Sequence, residues 1–185
     1  MICAIHQPNL VPWYPFFQKM QSADVFVFLT HCQFEKNGYQ NRFSMDGRWH
    51  TLSIFRGLQE ISEKKYTDPH RDWAAIKRAL PAYCGILDSL DDCISESLVS
   101  TNTEVIRRLA ARLGVSTRIE SDFPTEKRST ERLVEICERY DCDVYLSGPS
   151  GSKYLDTELF EDRGVRVTFQ NPADTLPVPT LERLR

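Results

Sequence analysis

The sequence lacks a long hydrophobic run, a leader pattern and a paired cysteine motif. No stretch approaches the ~18 consecutive apolar residues of a membrane-spanning helix, and no basic segment followed by an apolar core begins the chain. The six cysteines, at positions 3, 32, 84, 93, 137 and 142, include no C-x-x-C pair. We therefore expect a cytoplasmic protein with reduced thiols and no membrane span. The isolated pair His31-Cys32 has no partner pair of metal-ligand types, so no metal site is predicted.

Positive charge is also in short supply. Lys and Arg number 23 against 26 Asp and Glu, which gives a net charge of −3. Broad electrostatic binding of nucleic acid requires an excess of basic residues, so nucleic acid is a possible partner but not a favoured one. The length of 185 residues without repeats predicts one α/β domain over residues 1–170. Residues 171–185, with three prolines, are predicted to form an extended C-terminal tail that is a candidate interaction arm. The oligomeric state is left open.

The first 29 residues predict a strand, a polar loop, a helix and a second strand. Ile2 to Ile5 is a short apolar run typical of a buried strand, and Val25 to Leu29 is another without polar interruption. Between them, apolar residues recur at helical spacing and define one face of a helix, namely Trp13, Phe16, Phe17 and Met20. This βαβ pattern indicates an α/β, Rossmann-like fold, with a mostly parallel sheet and helices on both faces.

The remaining elements follow from periodicity and turn signals. Asp46-Gly47 predicts a hairpin turn, and Thr101 with Glu104 matches the capping box of a helix that ends at Gly114. Residues 56–70 are predicted to be a polar surface loop. Helices are predicted over 72–80 and 102–113, and strands over 115–119, 143–146 and 165–169.

Two clusters of polar side chains follow the first two predicted strands. His6, Gln7 and Asn9 follow the first strand, and a larger cluster follows the second, namely Gln33, Lys36, Gln40, Asn41 and Arg42. Because ligands bind at the carboxyl edge of open α/β sheets, these groups are expected to converge on a site. The alternative is that the amides bond to their own backbone in turns.

A third loop rich in small polar residues follows the predicted strand 143–146. It reads Ser147-Gly148-Pro149-Ser150-Gly151, and two glycines with two serines allow close backbone approach to a phosphate or carboxylate. A helix within residues 152–162 would point its first amides at the same anion. The alternative is an ordinary turn, which the Ser-Gly-Pro sequence also favours.

Two blocks of the sequence resemble the WbqC-like protein family. The first block contains His6-Gln7-Pro8-Asn9, Pro12-Trp13, Lys19, Ala23-Asp24-Val25-Phe26, Gln33-Phe34 and Gln40-Asn41-Arg42. The second contains Lys127, Ser129-Thr130-Glu131, Leu133, Tyr145-Leu146-Ser147-Gly148 and Tyr154-Leu155-Asp156. The resemblance covers residues 1–170 and implies a role in polysaccharide (O-antigen) gene clusters, with modification of an amino sugar.

The sequence departs from the family's pattern in two places. Thr30-His31 stands where family members commonly carry two aspartates, and the Pro-rich tail replaces a longer C-terminal segment. The order of strands and loops also resembles nucleotidylyltransferase-like folds, in which histidines after the first strand stabilise phosphates. This second likeness concerns the fold alone, and a shared fold does not by itself imply a shared function.

These observations together predict a transferase that acylates or aminoacylates an amino group on a nucleotide-linked sugar, or on a modified nucleotide or base. ATP or another nucleotide is a possible cofactor, and an ATP-dependent amide-forming enzyme belongs to the same hypothesis. His6 is expected to act as general base or phosphate stabiliser, with Lys36 and Arg42 as further catalytic groups. The predicted substrate-binding residues are Gln7, Asn9, Trp13, Gln33, Gln40, Asn41, Lys127, Ser147, Gly148, Ser150, Gly151, Tyr154 and Asp156. The alternative is a non-catalytic module that binds a nucleotide or a protein.

Overall fold

The computed structural model describes residues 1–185 and contains one five-stranded parallel sheet and one hairpin. The strands are β1 (Ile2–His6), β2 (Val25–Phe28), β3 (Arg42–Met45), β4 (Arg48–Thr51), β5 (Arg118–Ser121), β6 (Val144–Ser147) and β7 (Arg166–Phe169). The helices are α1 (Tyr14–Gln21), α2 (Pro69–Ala79), α3 (Cys84–Asp88), α4 (Leu98–Arg112), α5 (Ser129–Arg139), α6 (Thr157–Glu161) and α7 (Thr180–Leu184). Short 3₁₀ turns join several of them.

The parallel sheet has the order β5-β2-β1-β6-β7. The chain builds outward from the central β1 to β2 and β5, and then returns to the other side of β1 for β6 and β7. Counting only the parallel strands, this is the Rossmann-like order 3-2-1-4-5. The strand order therefore reverses between β1 and β6, and this switch point opens a crevice at their carboxyl ends. The predicted α/β class and parallel sheet are confirmed.

Apolar side chains cover both faces of the sheet, as the uninterrupted run in β2 predicted. On one face, Ala4, Phe26 and Phe28 join the larger core cluster, to which α1 and α4 contribute. On the other face, Ile5 and Val27 join a second cluster with residues of α5 and α6. Helices thus lie on both faces, and the alternation of the strands decides which side chain meets which helix.

The hairpin β3–β4 forms where Asp46-Gly47 predicted a turn. Both turn residues have positive φ, 51° for Asp46 and 70° for Gly47, which matches the two-residue turns that connect twisted strands. Local sequence chemistry is sufficient here because the turn depends only on the conformations of these two residues.

The loop 56–70 is less exposed than its polar composition predicted. Ile61, Lys64 and Tyr66 are buried. The Lys64 ammonium donates to the Gly57 carbonyl at 2.9 Å and lies 5.2 Å from the ring centre of Phe34. The segment therefore closes over the main core instead of presenting Lys64 to solvent.

The helix that was predicted to begin at residue 102 begins four residues earlier. Ser97 caps α4, and its hydroxyl accepts from the amide of Ser100. Thr101, predicted to be the cap, lies inside the helix, and its hydroxyl accepts from the amide of Ser95 at 2.9 Å. The capping-box prediction was wrong because this upstream turn supplies a competing partner for Thr101. The predicted end before Gly114 is confirmed.

The C-terminal residues pack back onto the first helix. The amide of Tyr14 donates to the Val178 carbonyl at 3.0 Å, and the Thr180 hydroxyl donates to the Pro12 carbonyl at 2.6 Å. Leu181, in α7, is buried in the larger core cluster. Residues 171–185 are therefore held against the domain by hydrogen bonds and apolar burial. No helix combines the length and apolar character needed to cross a membrane.

Candidate functional site

A cleft opens at the switch point between β1 and β6. Two adjoining cavities of about 540 and 440 Å³ share four residues, His6, Lys19, Gly148 and Ser150. His6 ends β1, and Gly148 follows the end of β6, so both stand at the carboxyl edge of the sheet. The cleft lies where ligands bind in open α/β sheets. No group of three or more His, Cys, Asp or Glu side chains is arranged to hold a metal ion.

The His6 imidazole is neutral at pH 7 and has a defined tautomer. Its Nδ1 lies 2.9 Å from the Gln7 carbonyl oxygen. Because a carbonyl only accepts, Nδ1 carries the proton and Nε2 keeps its lone pair. The ring stands edge-on to Phe16 with centres 4.9 Å apart. Burial and the nearby Lys19 lower the pKa of His6 to about 4.

Lys19 extends from α1 into the same cleft and is only 3% exposed. Its Nζ donates to the Ile5 carbonyl at 2.8 Å and has no carboxylate partner. Burial lowers the pKa of Lys19 to about 8. A buried cation without a counter-ion is unfavourable in the empty cleft, so an anionic ligand would relieve this cost. The same ligand would favour the protonated forms of both Lys19 and His6.

The low pKa of His6 predicts a pH-dependent stability. The unfolded chain takes up a proton at an ordinary pKa of 6.5, but folded His6 does so only near 4. The contribution of His6 to the free energy of unfolding is therefore fully present above pH 6.5. This contribution falls by up to about 3 kcal/mol as the pH falls towards 4. We expect urea denaturation to show that the wild type loses this much more stability than His6→Gln between pH 7 and 4. Parallel stability curves for the two proteins would contradict the burial of a neutral His6.

Residues of the Ser147–Gly151 loop line the cleft, and the loop is closely packed at Gly151. Ser147 is buried, and a 3₁₀ turn over Pro149–Lys153 follows it. A Cβ at Gly151 would lie 2.1 Å from Ser147 Oγ and 3.0 Å from Leu155 Cδ1, whereas one at Gly148 would meet nothing within 4 Å. The predicted helix over 152–162 is reduced to α6, so its first amides do not continue this loop. The Gly151 amide donates to the Gly148 carbonyl at 3.0 Å and Pro149 has no amide hydrogen, so only the Gly148 and Ser150 amides of this turn are candidates to bind an anion.

The two glycines give a matched pair of variants. Gly151→Ala is expected to cost about 1–3 kcal/mol of stability, because the new methyl group overlaps the buried Ser147 hydroxyl and forces that side chain to move. Gly148→Ala should change stability by less than about 1 kcal/mol, since its φ of −68° suits any residue. Chemical denaturation measures both values. Equal effects of the two substitutions would contradict the close approach of Gly151 to Ser147.

Exposed aromatic side chains form one wall of the larger cavity. Trp13, Tyr39 and Trp49 are each more than two-fifths exposed. The ring centres of Trp49 and Tyr39 lie 5.6 Å apart, and the Arg42 guanidinium carbon lies 4.2 Å from the centre of the Trp49 ring. The indole of Trp13 donates to the Ser44 carbonyl at 3.3 Å. Flat apolar surfaces of this kind suit stacking against a base or a sugar ring.

A buried polar network joins the loop after β1 to the loop after β2. Gln40 donates from its amide nitrogen to Gln7 Oε1, and Gln7 donates to Cys32 Sγ at 3.3 Å. Asn102, in α4, donates to the carbonyls of Pro8 at 2.8 Å and Gln40 at 2.6 Å. Its own carbonyl accepts from the Tyr66 hydroxyl at 2.7 Å. The two predicted polar clusters do meet, but through this structural network.

The other residues of the second cluster lie elsewhere. Lys36, Asn41 and Arg42 line a separate cavity, and Gln33 lines a third. The Arg42 guanidinium donates to the carbonyls of Asn37 and Gly38, and the Asn41 amide donates to the Leu52 carbonyl at 2.9 Å. The expectation that the whole cluster would converge with His6 was therefore wrong. Asn41 and Arg42 instead follow the alternative, bonding to nearby backbone.

The remaining predicted residues divide between the cleft and its surroundings. Asn9 lines the cavity with the aromatic wall, and Tyr154 lines the other cavity with an exposed ring. Asp156 is exposed, and its amide donates to Thr130 Oγ1 at 3.2 Å. Lys127 lies 3.6 Å from Glu135 and lines the same cavity as Gln33.

The carboxylate beside the end of β2 comes from another strand. Asp122, which directly follows β5, accepts from the amide and hydroxyl of Thr30 at 2.8 and 2.7 Å. It also accepts from the amide of His31 at 3.1 Å and lies 3.0 Å from His31 Nδ1. Arg132 donates to its second oxygen at 3.1 Å. Thr30-His31 thus retains an acidic partner at this position.

Three cleft residues were missed as site candidates from the sequence. Tyr39 and Trp49 gave no local signal, because only the hairpin brings them to Trp13. Lys19 did have a local signal, because it follows Phe16 by three residues and therefore shares the buried face of α1. A lysine on an otherwise apolar helical face was the available clue.

The fold and cleft define a doubly wound α/β protein with an anion-suited crevice at its switch point. The chain belongs to the WbqC-like protein family, which matches residues 7–182. It is similar to a protein of Mycobacterium tuberculosis (strain ATCC 25618 / H37Rv), "Uncharacterized protein Rv1507c", with 28% identity over 185 aligned residues, 90% of this chain and 80% of that relative. Among solved structures, zinc-bound AdcAII (H205L variant) of Streptococcus pneumoniae gives a TM-score of 0.24 at 13% identity, over 99% and 94% of the two chains. A score this low supports no conclusion about fold or function.

Proposed function

We propose that this protein binds a nucleotide-linked sugar in the cleft and transfers an acyl or aminoacyl group to an amino group of that sugar. The observation that carries the proposal is the placement of His6 and the buried Lys19 in one cleft beside the Ser147–Gly151 loop at the switch point. Membership of the WbqC-like family is consistent with a role in polysaccharide biosynthesis. A modified nucleotide or base is the alternative acceptor within this class.

The two ends of such a ligand match the two sides of the cleft. The phosphates carry negative charge, which Lys19 and the amides of Gly148 and Ser150 can bind. The base or sugar ring presents a flat face, which Trp13, Tyr39 and Trp49 can stack against. Asn9 lies in the same cavity and offers an amide to hydroxyl groups.

His6 is suited to accept the proton that the transfer releases. The amine nitrogen attacks the carbonyl carbon of an activated acyl group, and a C–N bond forms. The bond to the leaving group breaks, and the leaving group departs with the electron pair. The proton lost by the amine passes to His6 Nε2, whose lone pair is kept free by the Nδ1 contact to Gln7. A bound anion would raise the basicity of His6 from its value in the empty cleft.

The test begins with thermal denaturation in the presence of ATP, nucleoside diphosphates, nucleotide sugars and amino acids. A ligand at 100 times its Kd should stabilise the protein by about 2.7 kcal/mol. The stabilising nucleotide sugar is then incubated with activated acyl donors, and the product is detected by mass spectrometry. We expect His6→Gln to abolish product while preserving most of the stabilisation. Unchanged turnover would remove His6 from the mechanism, and no stabilisation by any nucleotide would overturn the proposal.

A non-catalytic module that binds a nucleotide or protein is the second candidate function. The observation that favours it is the pKa of His6 of about 4, because so weak a base transfers protons poorly near pH 7. The replacement of two aspartates by Thr30-His31 points the same way. Stabilisation by a nucleotide without product from any donor would select this candidate.

A further inference from the structure

The polar cavity that Gln33 and Lys127 line has a volume of about 530 Å³ and lies at the carboxyl ends of β2 and β5. His31, after β2, and Arg132, in α5, are among its lining residues. Cys32, Ser129 and Arg132 also line the His6 cleft, so the two spaces adjoin. We infer that this cavity binds a free α-amino acid, with its carboxylate at Arg132 and the N-terminus of α5 and its ammonium group at the glutamates of the loop 56–70.

The first observation is the unused donor capacity of Arg132, which is only 7% exposed. Its Nη2 donates to Asp122 at 3.1 Å and to the Phe123 carbonyl at 3.0 Å. Its Nε is buried and has no hydrogen-bond partner. A buried donor without a partner is costly, and Asp122 already accepts from Thr30 and His31. The Nε of Arg132 therefore lacks an acceptor, which a carboxylate bound at this side chain would supply.

The second observation is the open N-terminus of α5, a helix of 11 residues. No side chain caps it, so its first amides have no side-chain acceptor. Ser129, the first residue of the helix, lines the cavity together with Lys127 and Arg128. The helix dipole and these two basic residues add to the positive side of the cavity.

Three carboxylate side chains also line the cavity. Glu60 and Glu63 come from the loop over the core, are exposed, and line the cavity, as does Glu126. None of the three makes an ion pair within the chain, and phosphate would meet their combined repulsion. A ligand that carries an ammonium group next to its carboxylate instead complements both the basic and the acidic residues of the cavity.

His31 supplies one further polar group to the cavity. Its Nδ1 lies 3.0 Å from Asp122 Oδ1. Its Nε2 is the second ring nitrogen, on a half-buried ring that lines the cavity. This inference goes beyond the proposed function, because it requires no nucleotide and no transfer step.

The test is a two-dimensional amide NMR titration of the full chain with glycine, alanine, serine and glutamate. Propionate and ethylamine are the acid-only and amine-only controls. We expect at least one amino acid to give saturable shifts at His31 and Ser129, with a Kd at least tenfold lower than either control. Propionate binding as tightly as the amino acid would overturn the inference, as would a lack of saturation.

Variants of residues that line this cavity, and one of a residue that lines only the His6 cleft, test where the amino acid binds. Arg132→Lys, which keeps the charge, and the double variant Glu60→Gln/Glu63→Gln should each weaken amino-acid binding at least fivefold. The matched surface change Glu158→Gln/Glu161→Gln should not. Lys19→Met should leave amino-acid binding unchanged, so this inference and the proposed function can fail separately. Unaltered binding in both cavity variants would contradict the assigned site.

Discussion

Replacing Asn102 with alanine is expected to lower the free energy of unfolding by about 3–5 kcal/mol. Asn102 is fully buried, and its side chain bonds the Pro8 and Gln40 carbonyls and the Tyr66 hydroxyl. Alanine would remove all three bonds and create a small cavity. The Tyr66 hydroxyl could still donate to the Gln40 carbonyl, 3.2 Å away, but the Pro8 carbonyl would lose the Asn102 donor. Urea denaturation of the wild type and the variant measures the difference.

The neighbouring Thr103 provides the control for Asn102. Its half-buried hydroxyl donates to the Val99 carbonyl of its own helix at 2.8 Å, so Thr103→Ala should change stability by less than about 1 kcal/mol. Because Asn102 joins the loops that carry Gln7 and Gln40, Asn102→Ala should also reduce nucleotide binding in the protein that remains folded. A loss no greater than that of Thr103→Ala would contradict the role of this network.

Lys19→Met is expected to weaken binding of the stabilising nucleotide by about 10- to 100-fold, because one charge-assisted hydrogen bond to the anion is lost. Stability should fall by no more than about 1 kcal/mol, since methionine removes a buried charge whose pKa is already lowered to about 8. Isothermal titration calorimetry measures the affinity, and denaturation measures the stability.

Lys65→Met makes the same change of charge at an exposed position outside the cleft. It should leave nucleotide affinity within about twofold of the wild type, because exposed charges are screened by solvent and salt. If the two lysine variants bind equally well, Lys19 is not part of an anion site.

Local patterns predicted the parts of the fold that depend on neighbouring residues. The apolar runs of β1 and β2 and the Asp46-Gly47 turn are set by burial and by backbone conformation over a few residues. The start of α4 was missed because Thr101 fits a capping box locally, while its hydroxyl bonds to the Ser95 amide in the preceding turn. The burial of Lys64 was missed because its partners, among them Gly57, make sense only in the folded loop.

The candidate site divides in the same way. His6 and Ser147 were predicted because each ends a strand, and parallel strands bring such residues to one edge of the sheet. The prediction that Lys36 and Arg42 would converge with His6 was wrong, because the loop after β2 leads into the hairpin and places them at another cavity. The Asp122–Arg132 pair joins the start of one loop to a helix, and sequence spacing alone gives no signal for it.

The most direct test of the proposed anion cleft is calorimetry of nucleotide-sugar binding at pH 8 in buffers of different ionisation enthalpy. Lys19 has a pKa of about 8, so about half of the free protein lacks this proton, and a bound phosphate would restore it. We predict uptake of about 0.5 proton per ligand, which disappears in Lys19→Met. Binding without proton uptake, or no binding of any nucleotide sugar, would contradict an anion site at His6 and Lys19.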